Sequence, residues 1–232
     1  MKIMFNKHQK AFIKLFNEVA RSFNRYRVFE DFISMSGIAI QNAFLKSDGL
    51  EQKYLKIAGG YQNDDLSKLS DLLAEVVLGL EMKPCDFLGE IFMELGLENK
   101  DMGQFFTPYD ISKAISILNW DKETELLLQR ESFITIADPA CGTAGTIIAF
   151  YELMLERGFN PQKQLWASCI DIDPLAAMMA YIQMSLLGIP GEVLIGNSLT
   201  LKINQVMHTP MHFIGDWDLK LDIYRRRKEQ VA

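Results

Sequence analysis

Between residues 133 and 196 three short apolar runs, FITIA (133–137), LWASCID (165–171) and EVLIG (192–196), alternate with two spacers. The spacers, TIIAFYELMLERG (146–158) and PLAAMMAYIQMSLLG (174–188), have helical length and helical apolar spacing. No other feature restricts the fold as much. Strand, helix, strand, helix, strand is the pattern of a parallel sheet with crossover helices, since parallel neighbours cannot be joined by a tight hairpin. Asp173 followed by Pro174 marks a helix start, with a capping side chain and a proline at the first helical position.

The hundred residues before this unit read differently. AFIKLFNEVARSF places Phe12, Leu15, Phe16, Val19 and Phe23 on one helical face, and LSKLSDLLAEVVLGL (66–80) and DFLGEIFMELGL (86–97) repeat the pattern. GGYQNDD (59–65) is a loop signal. The predicted organisation is an α/β chain: a helical N-terminal lobe of about five helices over residues 1–101, then a Rossmann-like domain over 102–232. Thr107-Pro108-Tyr109-Asp110 predicts a helix over 108–119, with Thr107 as cap and Asp110 as the acid of a capping box.

The turn after the first strand, ADPACGTAGT (137–146), is unusually poor in side chains. In an open α/β sheet ligands bind at the carboxyl ends of the strands, where such a turn feeds a helix N-terminus. Gly142 and Gly145 permit backbone angles other residues resist, and a ligand can lie on the main chain. The second strand ends in Asp171, where a carboxylate can accept ribose hydroxyls. The third ends in Gly196-Asn197-Ser198, and the Asn197 amide can both donate to and accept from an adenine edge. Backbone, carboxylate and amide in that order describe an adenosine site. A nicotinamide dinucleotide and S-adenosylmethionine both contain adenosine, so the residues alone leave the class open.

Upstream, MGQFFTPYDISKAI (102–115) resembles the segment preceding the cofactor loop of adenine-N6 DNA methyltransferases, most of all the modification subunit of type I restriction systems. That family's Gly-Gln-(Phe/Tyr)-(Phe/Tyr)-Thr-Pro segment is matched by Gly103, Gln104, Phe105, Phe106, Thr107 and Pro108. Its Asp-Pro-Ala-X-Gly-Thr-Ala-Gly loop is matched by Asp138 to Gly145, its acid after the second strand by Asp171, and its Gly-Asn/Asp-Ser/Thr-Leu stretch by Gly196 to Leu199. DFLGEIFMELGLENKDMGQ (86–104) is similar to the end of the family's helical lobe, and the likeness runs over roughly residues 30–200. The resemblance implies S-adenosyl-L-methionine as cofactor, with Gln104, Phe105, Phe106, Thr107 and Pro108 against its methionine part. It places Asp138, Gly142, Thr143, Ala144, Gly145, Asp171 and Asn197 around the remainder. Phe105 and Phe106 offer ring faces to the sulfonium, or pack in the core. A nicotinamide-dependent enzyme gives GQFFTP no role.

The same resemblance implies an Asn/Asp-Pro-Pro-aromatic stretch after the fourth strand, which orients the target amine and stacks on a flipped base. None of the seven prolines is adjacent to another, so that stretch is absent and no catalytic residue is assigned. Thr209-Pro210-Met211-His212-Phe213 falls at about the right place without the amine-binding Asn. MHFIGDWDLKLDIY (211–224) is expected to add one or two strands, leaving the sheet incomplete and no room for a target-recognition domain. Two readings follow. One is a minimal adenine methyltransferase, active alone or with a specificity or catalytic partner subunit. The other, which the residues favour, is a methyltransferase-like protein that binds the cofactor and is inactive alone.

Charge and composition narrow the partners. A formal charge of −6 argues against a surface that grips nucleic acid throughout. Seven basic residues over 1–28 face Glu18 alone, and Arg225, Arg226, Arg227 and Lys228 are consecutive, so weak DNA contact is expected from these two patches. No apolar run reaches the roughly 18 residues of a membrane span. MKIMFNKHQKAF is too polar for a signal peptide. Three cysteines without CxxC spacing and three histidines suggest neither a disulfide framework nor a zinc site, which fits a reducing cytosol.

Overall fold

A computed structural model describes residues 5–97 and 106–229. The expected contacts of Gly103, Gln104 and Phe105 lie outside these residues. Helical periodicity in the first hundred residues becomes five helices: α1 (Lys7–Phe16), α2 (Arg25–Leu45), α3 (Asp48–Ala58), α4 (Asn63–Met82) and α5 (Phe87–Glu94). Asn6 opens α1 with a reciprocal cap, accepting from the His8 and Gln9 amides while Gln9 reaches back. The apolar face does not continue as one helix to Phe23. α1 stops because the Arg25 guanidinium donates to the carbonyls of Phe16, Val19 and Ala20 at 3.1, 2.9 and 2.8 Å. The Ala20 amide, which a longer helix would bond to Phe16, donates to Asp65 instead at 2.8 Å. Val19 is buried all the same, and Phe23 packs on Tyr61 with ring centroids 5.4 Å apart. Phe12, Phe16, Phe29, Phe32, Phe87 and Phe92 fill the middle of the helical region, in pairs such as Phe12–Phe32 at 5.4 Å with crossed planes.

Two further helices lead to the sheet, α6 (Tyr109–Asn119) and α7 (Lys122–Glu131). α6 starts one residue later than expected and without the capping box. Pro108 is extended (φ −53°, ψ 135°) and occupies the cap position, so Thr107 sits too early to reach the first amides. A buried acid secures the helix instead. Glu152, 6% exposed, accepts from the Tyr109 hydroxyl at 3.0 Å and pairs with Lys113 at 2.8 Å and Lys83 at 3.2 Å. Burial pushes its carboxyl up, but these partners outweigh that and hold it below the usual value.

The sheet contains β1 (Ile134–Asp138), β2 (Leu165–Asp171), β3 (Gly191–Asn197) and β4 (Lys202–His208), adjacent in that order. β1, β2 and β3 are parallel, and β4 returns antiparallel to β3. α8 (Gly145–Glu156), followed by the single turn α9 (Pro161–Gln164), and α10 (Pro174–Leu187) make the crossovers. Asp173 caps α10 through the Leu175 amide, with Pro174 first in the helix, as the sequence predicts. Both crossovers step the same way, so right-handedness puts α8 and α10 on one face. Leu165, Ala167 and Cys169 join that face's core, which is continuous with the aromatic core of the helices.

Alternate residues point to the other face, where Trp166 forms a small separate cluster with Phe133, Trp217 and Leu221. Residues 211–224 build this cluster and are not strands. They lie in α11 (Pro210–Ile214) and α12 (Trp217–Glu229), because Trp217, Leu221 and Tyr224 recur at helical spacing and together meet Phe133. Among the described residues no helix is long and apolar enough to cross a membrane.

Candidate ligand site at the strand ends

Each tip of the parallel strands carries one polar group, and the main chain decides what it can do. Asp138 closes the first turn across itself: one oxygen accepts from the Ala140 amide at 3.0 Å and the other from the Thr146 hydroxyl. Gly142 is left-handed, φ +54°, and its amide donates to Asp171 Oδ2 at 2.7 Å. Asp171 Oδ1 accepts from the Asp173 amide at 2.9 Å. The acid expected to face a ribose thus also holds the turn. Each carboxylate oxygen has a second acceptor site, so both roles are compatible. Asn197 accepts from the Leu199 and Thr200 amides at 2.9 and 3.0 Å through its side-chain oxygen, so these bonds leave its NH₂ unused.

The rest of the turn is mainly structural in its side chains. Thr143 is 2% exposed and its hydroxyl points away from the strand tips to Asp86. Ala144 is fully buried and left-handed (φ 68°) at the start of α8. A Cβ on Gly145 would stand 3.2 Å from Asp86 Oδ2. Main chain is therefore what these positions can present to a ligand. The Cys141 thiol is held well above its ordinary pKa by its neighbour Cys169 and by burial, which disfavours the thiolate.

The structure brings Phe106 to this turn. Its ring lies 5.6 Å from that of Phe92, and a Cβ on Gly142 would stand 3.1 Å from Phe106 Cδ1. Thr107 and Pro108 follow, both exposed. Phe106, Thr107, Ser112 and the turn enclose a cavity of about 70 Å³. That is far below the roughly 300 Å³ of a whole small-molecule site, so it suits only a ligand's end group. Ser112 is fully buried and its Oγ has no hydrogen-bond partner among the described residues. Sequence reasoning missed Asp86, Ser112 and Gln183. A polar residue inside the apolar run LAAMMAYIQMSLL was the one available signal for Gln183.

The N-6 DNA methylase family model matches residues 87–217, more than half of the chain. Among curated proteins there is no significant match. A solved Listeria monocytogenes protein, assigned as a class I S-adenosylmethionine-dependent methyltransferase, is 19% identical with a TM-score of 0.45. The match covers 84% of this chain and 55% of that one, so the chain spans about half the length of that protein.

Proposed function

Because the chain belongs to the N-6 DNA methylase family, we propose that it binds S-adenosylmethionine and, by itself, does not transfer the methyl group. Ribose hydroxyls would meet Asp171 and the adenine edge Asn197. The strand order then directs the methionine end towards β1, Phe106 and Thr107. One observation carries this reading: Phe106, from the segment upstream of α6, lies against Gly142 of the turn, so the two stretches that carry the family likeness converge at one place. The chemistry S-adenosylmethionine supplies is an activated methyl on a sulfonium. This chain's contribution would be to bind and orient it, with a ring face of Phe106 near the positive charge. An adenine amine is a poor nucleophile, and preorganised acceptors aimed at it commonly contribute a few kcal/mol to such a barrier. Thr209 cannot serve. It is fully buried, accepting from the Gly191 amide at 3.1 Å and donating to the Ile189 carbonyl at 2.8 Å.

A second reading, an adenine methyltransferase completed by a partner subunit, is favoured by one observation: among the described residues β1 has a strand neighbour on one side only, beside the turn. DNA contact would then fall largely to the partner. Of the basic N-terminal residues, Arg25 holds three carbonyls and Arg27 pairs with Asp31 at 3.5 Å. In the C-terminal run Arg226 pairs with Asp222 at 2.8 Å. Two measurements test the proposal. Titration calorimetry with S-adenosylmethionine should show saturable heat, and tritium transfer from labelled cofactor to unmethylated DNA should stay at the no-protein blank. Absence of heat at millimolar ligand overturns the binding reading. Transfer that Asp171→Ala abolishes overturns the inactivity.

A further inference from the structure

Three segments far apart in sequence meet beneath the turn. Asp86 caps α5 and is 3% exposed. Its Oδ2 accepts the Thr143 hydroxyl at 2.6 Å, and its Oδ1 accepts Gln183 Nε2 at 2.9 Å and the Gly89 amide at 3.1 Å. Gln183, fully buried in α10, also donates to the Thr143 carbonyl at 2.8 Å and accepts the Leu88 amide at 3.0 Å. Thr143 is thereby gripped through hydroxyl and carbonyl at once. The fit is close: a Cβ on Gly89 would stand 2.3 Å from Asp86 Oδ2 and 2.6 Å from Thr143 Oγ1.

A helix cap needs one of these bonds, the one from Gly89. The other two leave the helix, one for the ligand turn and one for α10. Burying a carboxyl is costly, here burial pushes its pKa up, and capping alone does not require a charged group. The Ser112 hydroxyl, which has no hydrogen-bond partner among the described residues, is a second polar group at the same place. It lies 3.6 Å from where a Gly145 Cβ would be, and Asp86 and Ser112 both line the small cavity beside Phe106.

We infer that Asp86 is a positioning residue: through Thr143 it fixes the turn after β1 in the form that receives the amino-acid tail of S-adenosylmethionine. The inference rests on the cofactor reading above. Gly142, tied to Asp171, serves the ribose end of the site; Asp86 serves the opposite end, because β1 lies on the side of β2 away from β3. The helical region thus takes part in ligand binding through a side chain whose hydrogen bonds go to the turn, to α10 and to its own helix.

The experiment separates the two ends of the ligand. Wild type, Thr143→Val, Thr143→Ser and Asp86→Asn are titrated with S-adenosylmethionine, S-adenosylhomocysteine and 5′-methylthioadenosine, which keeps the adenosine and lacks the tail. Near-UV circular dichroism first establishes that each is folded at the working temperature. Thr143→Val and Asp86→Asn should bind the two tailed ligands at least about tenfold more weakly, with methylthioadenosine unchanged and Thr143→Ser like wild type. Equal weakening of all three ligands, or no weakening, overturns the inference while leaving the cofactor reading intact. If Asp86→Asn does not fold, Thr143→Val decides. If Thr143→Val does not fold either, the role is purely structural and the inference fails. A wild type that binds none of the three overturns the cofactor reading itself.

Discussion

Asp171→Asn tests whether the acid at the tip of β2 holds the turn before any ligand arrives. Its two oxygens accept from the Gly142 amide at 2.7 Å and the Asp173 amide at 2.9 Å. Asparagine keeps one acceptor oxygen and puts an NH₂ where the other was, so one of the two amides faces a donor. Hydrogen bonds to charged groups contribute about 1.5–3 kcal/mol each. In a chain of this length each kcal/mol corresponds to roughly 2–4 °C in melting temperature, which predicts a fall of about 3–12 °C without ligand. Thermal unfolding followed by far-UV circular dichroism measures it directly. Ligand titration of the same variant then gives the additional loss from the ribose contacts. A ligand-free melting temperature within about 2 °C of wild type would refute the reasoning, since the carboxylate would then not be holding Gly142 in place.

Two other outcomes follow from buried polar groups. Ser112→Ala should leave the melting temperature equal or higher without ligand, since an unsatisfied buried hydroxyl costs about 1–3 kcal/mol; a clear drop would mean that the hydroxyl is bonded. His212 is 2% exposed, accepts Trp166 Nε1–H on Nδ1 at 3.2 Å, lies 3.2 Å from Asp218 through Nε2, and has its ring centroid 4.3 Å from that of His208, with the planes tilted by 32°. Burial and then His208 hold its pKa below 6.5, against the opposing pull of Asp218 and Glu192. The unfolded chain therefore binds this proton more readily, so the stability from neutral His212 is present above pH 6.5 and is lost as pH falls below it. Urea midpoints across that range should show a shallower slope for His212→Gln, and an unchanged slope would sink the assignment.

The three parallel strands, their crossovers and the turn after β1 were legible because each is encoded locally, by period, by Asp173-Pro174 and by small residues at a strand end. Asp171 and Gly142 were legible as a pair for the same reason, although the bond between them was not. What escaped depends on residues brought from elsewhere. α1 ends because of Arg25, nine residues beyond Phe16. Asp86 reads in sequence as an ordinary helix cap. Its burial under Thr143, 57 residues on, exists only once the helices pack on the sheet. Residues 211–224 were mistaken for strands because a short apolar stretch fits either period. The choice was made by Phe133 and Trp166, which offer a surface that Trp217 and Leu221 cover from a helix.

The strand that carries the turn is, of the three parallel strands, the one at an edge of the sheet. β2 and β3 are each flanked by strands on both edges, whereas among the described residues the outer backbone groups of β1 have no strand to bond to. Resistance to local opening follows the number of such bonds, so it is lowest for β1 within the parallel part of the sheet. The turn is therefore anchored less by its own strand than by cross-ties to more stable parts: Gly142 to β2, and Thr143 to α5 and α10. A ligand spanning the tips of β1 to β3 would act as a splint, and part of its binding free energy would appear as slower exchange of β1 amides with solvent.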